Sequence, residues 1–259
     1  MRLTVLGCAG SFPGPESACS AYLVEAEGFR LLIDFGSGSL SALQRYSDMR
    51  RIDAILLTHL HCDHMLDACT YVVVRRYDPA GPLPPVPVYA PLGAAERIAA
   101  AYSTEGEPVD DVYTFYGLQP GTFPIGPLQV TVDRVNHPVE TYGVRIEHDG
   151  RVLAYSSDTA PCESLLRLAA GADLFLCEAS YQDGVANPPD LHLTGGEAGE
   201  AATKADVGRL LLTHLVPAWA SEASIVDAAT AAYAGPVEVV RPGARYDLHV
   251  GTGGQDRQS

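Results

Sequence analysis

Six residues, His59-Leu60-His61-Cys62-Asp63-His64, gather three imidazoles and a carboxylate directly after an apolar run at residues 52–57. That density of donor groups points to a metal site. If residues 54–57 form a buried strand and a helix starts near Met65, His59 and His61 leave the strand on one side, by its two-residue period. Asp63 and His64 then fall in the tight turn entering the helix and swing towards a second point. One pair of ligands therefore serves one metal and the other pair a neighbour. Imidazole nitrogen mixed with carboxylate oxygen suits zinc, with manganese and iron as alternatives.

Composition narrows the class of protein. A chain of 259 residues, 47% hydrophobic and with 25 glycines, fits one compact globular enzyme with a substantial core. Its formal charge of −15 repels polyanions, and basic residues cluster only at Arg50-Arg51 and Arg75-Arg76. A phosphate substrate must then be small enough to be drawn in by the metals, without a basic face. No apolar run reaches the length of about 18 residues needed to span a bilayer. Residues 1–7 read as a first strand and not as a leader, so the expectation is a soluble, cytoplasmic protein with no membrane partner. Six cysteines occur without any Cys-x-x-Cys pair and read as reduced core thiols. Cys62, inside the motif, points away from His59 and His61.

Read in order, the chain predicts strands at 3–7, 22–26 and 29–33 and a helix at 39–46. After the motif come a helix at 66–77, with Val72, Val73 and Val74 buried, a strand at 86–90 and a helix at 93–102. Residues 105–111 form an acidic loop of a kind that could lie over a site. The second half repeats the plan: a strand at 128–135, a hairpin of 142–147 and 151–155 across His148-Asp149-Gly150, and a strand at 173–177. A helix at 197–204 follows, with Thr194 as N-cap and Glu197 as its capping-box partner. A strand at 209–212, a helix at 221–233, two strands closing the sheet and a frayed tail at 251–259 complete the chain. This is a single α/β domain of two similar halves, about 1–125 and 126–250. The glycine and proline loop at 7–15 lacks the lysine of a nucleotide P-loop. Phe12, Tyr77, Tyr155 and Trp219 are aromatic candidates for stacking on a ligand.

One regularity organises the candidate site. His59, His137, Asp158 and His214 each sit just past the end of an apolar strand, as residues on one rim of a sheet do, and loops on one rim converge. Asp34 ends another strand near the motif; it is either an ordinary turn carboxylate or the group that orients a ligand histidine through its other nitrogen.

With these residues in place the chain resembles the metallo-β-lactamase superfamily, and within it the ribonuclease Z-like phosphodiesterase branch. The signature falls on His59, His61, Asp63 and His64, and the later ligand motifs fall on His137, Asp158 and His214. Two further segments, His192 to Thr194 and Glu178-Ala179, carry the likeness to phosphodiester-cleaving members. The resemblance implies an αββα sandwich with its metal site at the rim between two mixed β-sheets. It also implies two divalent metal ions: His59, His61 and His137 hold one, Asp63, His64 and His214 the other, and Asp158 bridges them. Asp63, His192 and Glu178 are the implied catalytic groups, and a homodimer is a further implication.

Transfer RNA 3′-processing members of bacterial type carry a long arm between the third and fourth ligand motifs. Here only residues 138–157 separate His137 from Asp158, and a hairpin fills them, so the pattern points away from nucleic acid. The segments Asp34-Phe35-Gly36, Arg75-Arg76-Tyr77, 176–180 and 189–193 look most like the actinobacterial cyclic-nucleotide phosphodiesterases of this branch. The expected reaction is hydrolysis of a small cyclic phosphodiester, 3′,5′-cyclic AMP to 5′-AMP. A tRNA 3′ endonuclease and a cyclic sugar-phosphate phosphodiesterase are the enzymatic alternatives. A catalytically dead, metal-bound binding module predicts a broken ligand set, and every ligand position here is filled.

Overall fold

A computed structural model describes residues 1–217, 219 and 221–248; the tail read at 251–259 lies outside the described residues. The strands are β1 (Arg2–Ala9), β2 (Ala18–Cys19), β3 (Ala21–Ala26), β4 (Phe29–Ile33), β5 (Ala54–Leu56), β6 (Val86–Ala90), β7 (Tyr113–Gly117), β8 (Gly121–Ile125), β9 (Leu128–Arg134), β10 (Tyr142–His148), β11 (Arg151–Tyr155), β12 (Leu174–Glu178), β13 (Leu210–Thr213), β14 (Val237–Val239) and β15 (Arg245–Asp247). The helices are α1 (Ser39–Tyr46), α2 (Cys62–Met65), α3 (Asp67–Arg76), α4 (Ala94–Tyr102), α5 (Glu163–Ala169), α6 (Gly195–Lys204) and α7 (Glu222–Ala232).

The strands form two mixed sheets, ordered β15-β1-β3-β4-β5-β6-β7, with β2 on β1, and β14-β13-β12-β11-β10-β9-β8. Each sheet begins antiparallel and turns parallel, from β4 to β7 in the first and from β11 to β14 in the second. Strand periodicity explains the layering. Leu3, Val5, Tyr22, Val24 and Ile33 face Val130, Val144, Tyr155, Leu176 and Leu211 in one cluster between the sheets. Alternate residues of the first sheet, Leu6, Leu23 and Leu32, pack outward beneath α1, α3 and α4, and Phe175, Cys177 and Leu212 pack beneath α5, α6 and α7. With both faces covered, parallel strands carry near-continuous apolar runs, and all five residues of β12 are buried. The result is the αββα sandwich with two mixed sheets.

Several local expectations change. The helix read at 66–77 is found as α3, and Leu66 separates it from α2, because the motif backbone is tied to the end of β4: Phe35 N–H donates to His64 O at 2.7 Å and Asp67 N–H to Phe35 O at 2.9 Å. Asp63 and His64 therefore lie in a short helix of their own and not in a turn. Val72 is buried, but Val73 is 51% exposed and Val74 only partly covered, since successive helical residues turn about 100° and one face alone meets the sheet. The two last strands do not close one sheet: β14 extends the second, while β15 crosses to pair with β1 of the first. β8 likewise belongs to the second sheet although it precedes residue 126. The acidic loop at 105–111 is tied down by Arg76, which donates to Glu107, Pro108 O and Asp111. Among the described residues no helix is long and apolar enough to cross a membrane.

Leu176, on β12, is 1% exposed in the cluster between the sheets. Leu176→Ala should lower the unfolding free energy by about 2–5 kcal/mol, read by urea denaturation followed by circular dichroism; an unchanged midpoint would contradict this placement of the core.

Candidate metal centre and active site

The site lies where parallel strands end. Asp34 follows β4, Thr58 and His59 follow β5, Asp158 follows β11, Glu178 is the last residue of β12, and His214 follows β13. The carboxyl ends of parallel strands open onto a shared crevice, because no backbone of the neighbouring strand continues there. His137 arrives beside them from β9.

Donor atoms converge in two adjoining groups, each with its members within 4.8 Å of one another: His59, His61, His137 and Asp158, then Asp63, His64, Asp158 and His214. In the first, His61 Nδ1 stands 3.1 Å from His59 Nε2 and 3.3 Å from His137 Nε2. In the second, His214 Nε2 stands 3.2 Å from His64 Nε2 and 3.1 Å from Asp63 Oδ2. Asp158 belongs to both: Oδ2 is 3.7 Å from His59 Nε2, while Oδ1 is 3.1 Å from His64 Nε2 and 3.3 Å from His214 Nε2. All seven residues singled out as ligands therefore meet at one place.

The hydrogen bonds behind these rings decide what the inward atoms can do. His64 Nδ1 donates to Asp34 Oδ2 at 2.7 Å, His137 Nδ1 to the Leu191 carbonyl at 2.9 Å, and His214 Nδ1 to Ser180 Oγ at 2.8 Å. His59 Nδ1 lies 3.2 Å from Thr58 Oγ1, whose own proton goes to Asp34. An imidazole whose Nδ1 proton is committed outward presents Nε2 inward as a lone pair, the arrangement a metal ligand requires. His61 is the exception and turns Nδ1 inward.

Electrostatics agree with this donor set. Burial, reinforced by neighbouring imidazoles, holds His59 well below the ordinary histidine range and lowers His61, and burial also lowers His137. These rings stay neutral. Burial opposes charge on His64, but Asp158 and Asp34 outweigh it and hold that ring well above the ordinary range, so the pocket draws positive charge inward. Burial would raise Asp158, yet His214 and His64 keep it well below the carboxylate range. Asp158 Oδ1 is buried with only the Nε2 atoms of His64 and His214 beside it; once those nitrogens present lone pairs, the oxygen is left without a partner, a costly state unless a cation completes it. The residues present fit two divalent ions.

A beta-lactamase superfamily domain matches residues 30–215. The chain belongs to the metallo-β-lactamase superfamily. It is 43% identical over 254 residues to an uncharacterized protein of Mycobacterium leprae, covering 96% of this chain and 89% of the relative. It is 31% identical over 260 residues to the probable metallo-hydrolase YhfI of Bacillus subtilis, covering 94% and 98%. The crystal structure of YhfI superimposes with a TM-score of 0.84 at 27% identity over 95% of this chain and 98% of that one. Ribonuclease Z of Mycobacterium bovis is 32% identical over 250 residues, covering 84% and 87%.

Within this metallo-β-lactamase site, two buried carboxylates stand behind the ligands. Asp34 accepts from Thr58 N–H and Oγ1, from His64 Nδ1 and from Tyr155 Oη, the last at 3.0 Å. Glu178 accepts from Thr159 N–H at 2.8 Å and His192 Nδ1 at 2.9 Å on one oxygen, and from Ser180 Oγ at 2.7 Å on the other. The His192 side chain is 10% exposed, with its ring 5.5 Å from His137 and 5.4 Å from His214, centroid to centroid. Burial opposes its charge, but Glu178 outweighs that and lifts its pKa to about 9.

Sequence reasoning missed several participants. Ser180 links Glu178 to His214, and the Ser11 amide donates to Asp63 Oδ2 at 2.8 Å. Arg97, on α4, braces the motif by donating to Leu60 O at 2.8 Å. Glycine is required where backbone meets ligand: a Cβ on Gly36 would lie 1.9 Å from Asp63 O, and one on Gly10 would lie 2.5 Å from His214 O. A backbone amide such as that of Ser11 leaves no trace in residue identity. Of the aromatic candidates, Tyr155 is a buried partner of Asp34, Tyr77 is exposed at the end of α3, and Phe12 and Trp219 pack on each other outside the core. Cys62 is exposed and the six cysteines are all unpaired.

Asp34→Ala removes the acceptor for His64 Nδ1 without touching any inward donor. It should weaken zinc binding about 10–100-fold, measured by competition with a chromophoric chelator; unchanged affinity would show that His64 needs no such support.

Proposed function

We propose that this metallo-hydrolase is a dinuclear-metal phosphodiesterase that opens a small cyclic phosphodiester, converting 3′,5′-cyclic AMP to 5′-AMP. The observation that carries the reading is His192, held by a buried carboxylate beside both donor groups. The seven ligands would hold two divalent cations, which would supply Lewis acidity to the phosphate oxygens and a water activated at neutral pH. Hydrolysis adds water across the P–O3′ bond, and the leaving 3′ oxygen needs a proton. Glu178 fixes Nδ1 of His192, so Nε2–H is the proton aimed at the substrate, and a raised pKa keeps it in place at neutral pH. Asp63, anchored by the Ser11 amide, takes a share of the proton traffic.

A small substrate is supported by the short hairpin of β10 and β11, which occupies the stretch between His137 and Asp158, and by the formal charge of −15. A second reading, RNA 3′ processing, is favoured by the identity to ribonuclease Z. Turnover of the metal-analysed protein on cyclic AMP, a pre-tRNA and bis-p-nitrophenyl phosphate, with a chelated control, separates the two. Cyclic AMP opening without tRNA cleavage is expected; the reverse would establish the RNA reading.

His192→Ala should retain its full complement of metal and lose about 10²–10⁴-fold in kcat. Turnover equal to the parent enzyme would remove His192 from the reaction.

A further inference from the structure

Two loops run side by side out of the metal centre, and each carries an exposed aromatic ring. The chain leaving β1 lies along the chain leaving β13: Ala9 bridges Leu215 in parallel, and Gly10 N–H donates to Leu215 O at 3.1 Å. Gly10 abuts His214, and Ser11 holds Asp63 through its amide. Phe12 is therefore the residue immediately outside the second donor group. Its ring is 40% exposed and meets Trp219, from the other loop, edge to face at 5.9 Å and 63°. Trp219 is 67% exposed.

Neither ring contributes to the clusters on either side of the sheets. The other exposed aromatic rings have different settings: Tyr116 stacks on Tyr89 within the first sheet, and Tyr77 closes α3. An indole left this open, beside a centre built for phosphate, has the character of a stacking surface. Every nucleobase has a π-face, and a flat aromatic ring receives it with little dependence on base identity. Edge-to-face contact with Phe12 fixes the indole plane at small conformational cost, since each side chain has only two torsions to settle.

We propose that Trp219, steadied by Phe12, is the platform on which the nucleobase of the substrate stacks while the phosphate occupies the metal centre. The inference rests on the phosphodiesterase reading for its substrate class, and it commits the site to nucleotides in preference to sugar phosphates. Phe12 is a positioning residue in this arrangement; Trp219 makes the contact.

Trp219 is the only tryptophan in the chain, so its fluorescence reports the platform directly. In the metal-loaded protein, 5′-AMP should quench that fluorescence saturably and ribose 5-phosphate should not, and Phe12→Ala should weaken the AMP titration several-fold. For turnover, the ratio of kcat/KM for cyclic AMP to that for ribose 3′,5′-cyclic phosphate should fall about 5- to 150-fold in Trp219→Ala and recover largely in Trp219→Phe. Fluorescence indifferent to saturating AMP, or a ratio unmoved by Trp219→Ala, overturns the platform. If neither cyclic compound is hydrolysed by the parent protein, the phosphodiesterase reading falls, and the AMP titration alone then decides whether the platform exists.

Discussion

Each imidazole at the centre has to arrive with its proton already placed. Four rings turn Nε2 inward because their Nδ1 is engaged behind them, by Asp34, Thr58, Leu191 O or Ser180. Much of the local architecture follows from that demand. Asp34 and Glu178 are fully buried, and each accepts several hydrogen bonds, which is how a carboxylate survives removal from water. Glu178 has a double duty, since its two oxygens hold His192 directly and His214 through Ser180. The group that steadies the proposed proton donor thus also steadies a metal ligand.

Holding this pattern costs backbone energy. Ser11, Asp34, Ser157 and His214 all adopt left-handed φ values, from 55° to 62°, at about 1–3 kcal/mol each where the surroundings impose them. All four lie at the rim, and none at the mid-length of a strand. The core between the sheets offsets that cost, and a bound cation adds to the offset because it binds the folded arrangement alone. The centre therefore depends on a fold that is rigid behind it: β4 and β5 on one side, β11, β12 and β13 on the other, meeting through side chains such as Tyr155, which spans the sheets to reach Asp34.

The parts of this design legible in the sequence were those written in residue type and period. The ligand residues could be found because His137, Asp158 and His214 recur at the same address as His59, just past the end of an apolar strand, beside a dense histidine and aspartate motif, and the capping box at Thr194 and Glu197 because its two side chains bond each other's backbone. What escaped depends on three-dimensional contacts. β7 and β8 alternate weakly, and β8 contains Gly121 and Pro124, so neither shows a strand period. The three consecutive valines at 72–74 look alike in sequence, yet only the sheet decides that Val72 alone is fully covered. Arg75 and Arg76 form one basic pair in sequence, but Arg75 is buried against Tyr71 and Pro84 while Arg76 ties down the acidic loop. Ser180 appeared only as part of a segment, because its value lies in joining two residues far from it in the chain.

Charge placement bears on how an acidic protein would admit the anionic substrate proposed for it. The formal charge of −15 is a property of the whole chain, whereas at the centre two divalent ions would face the ligand carboxylates Asp63 and Asp158, with Asp34 and Glu178 buried behind them and tied to His64 and His192. The bound ions would place positive charge where a phosphate can reach it directly, while the surface beyond is negative, each field fading over a Debye length of about 8 Å in physiological salt. The mononucleotide proposed as substrate would fit within that distance and meet the metal centre and little else. On the proposed reading a polyanion would extend past it and lie along the acidic surface, with no arm between His137 and Asp158 to compensate, so size and charge would be discriminated by the same arrangement.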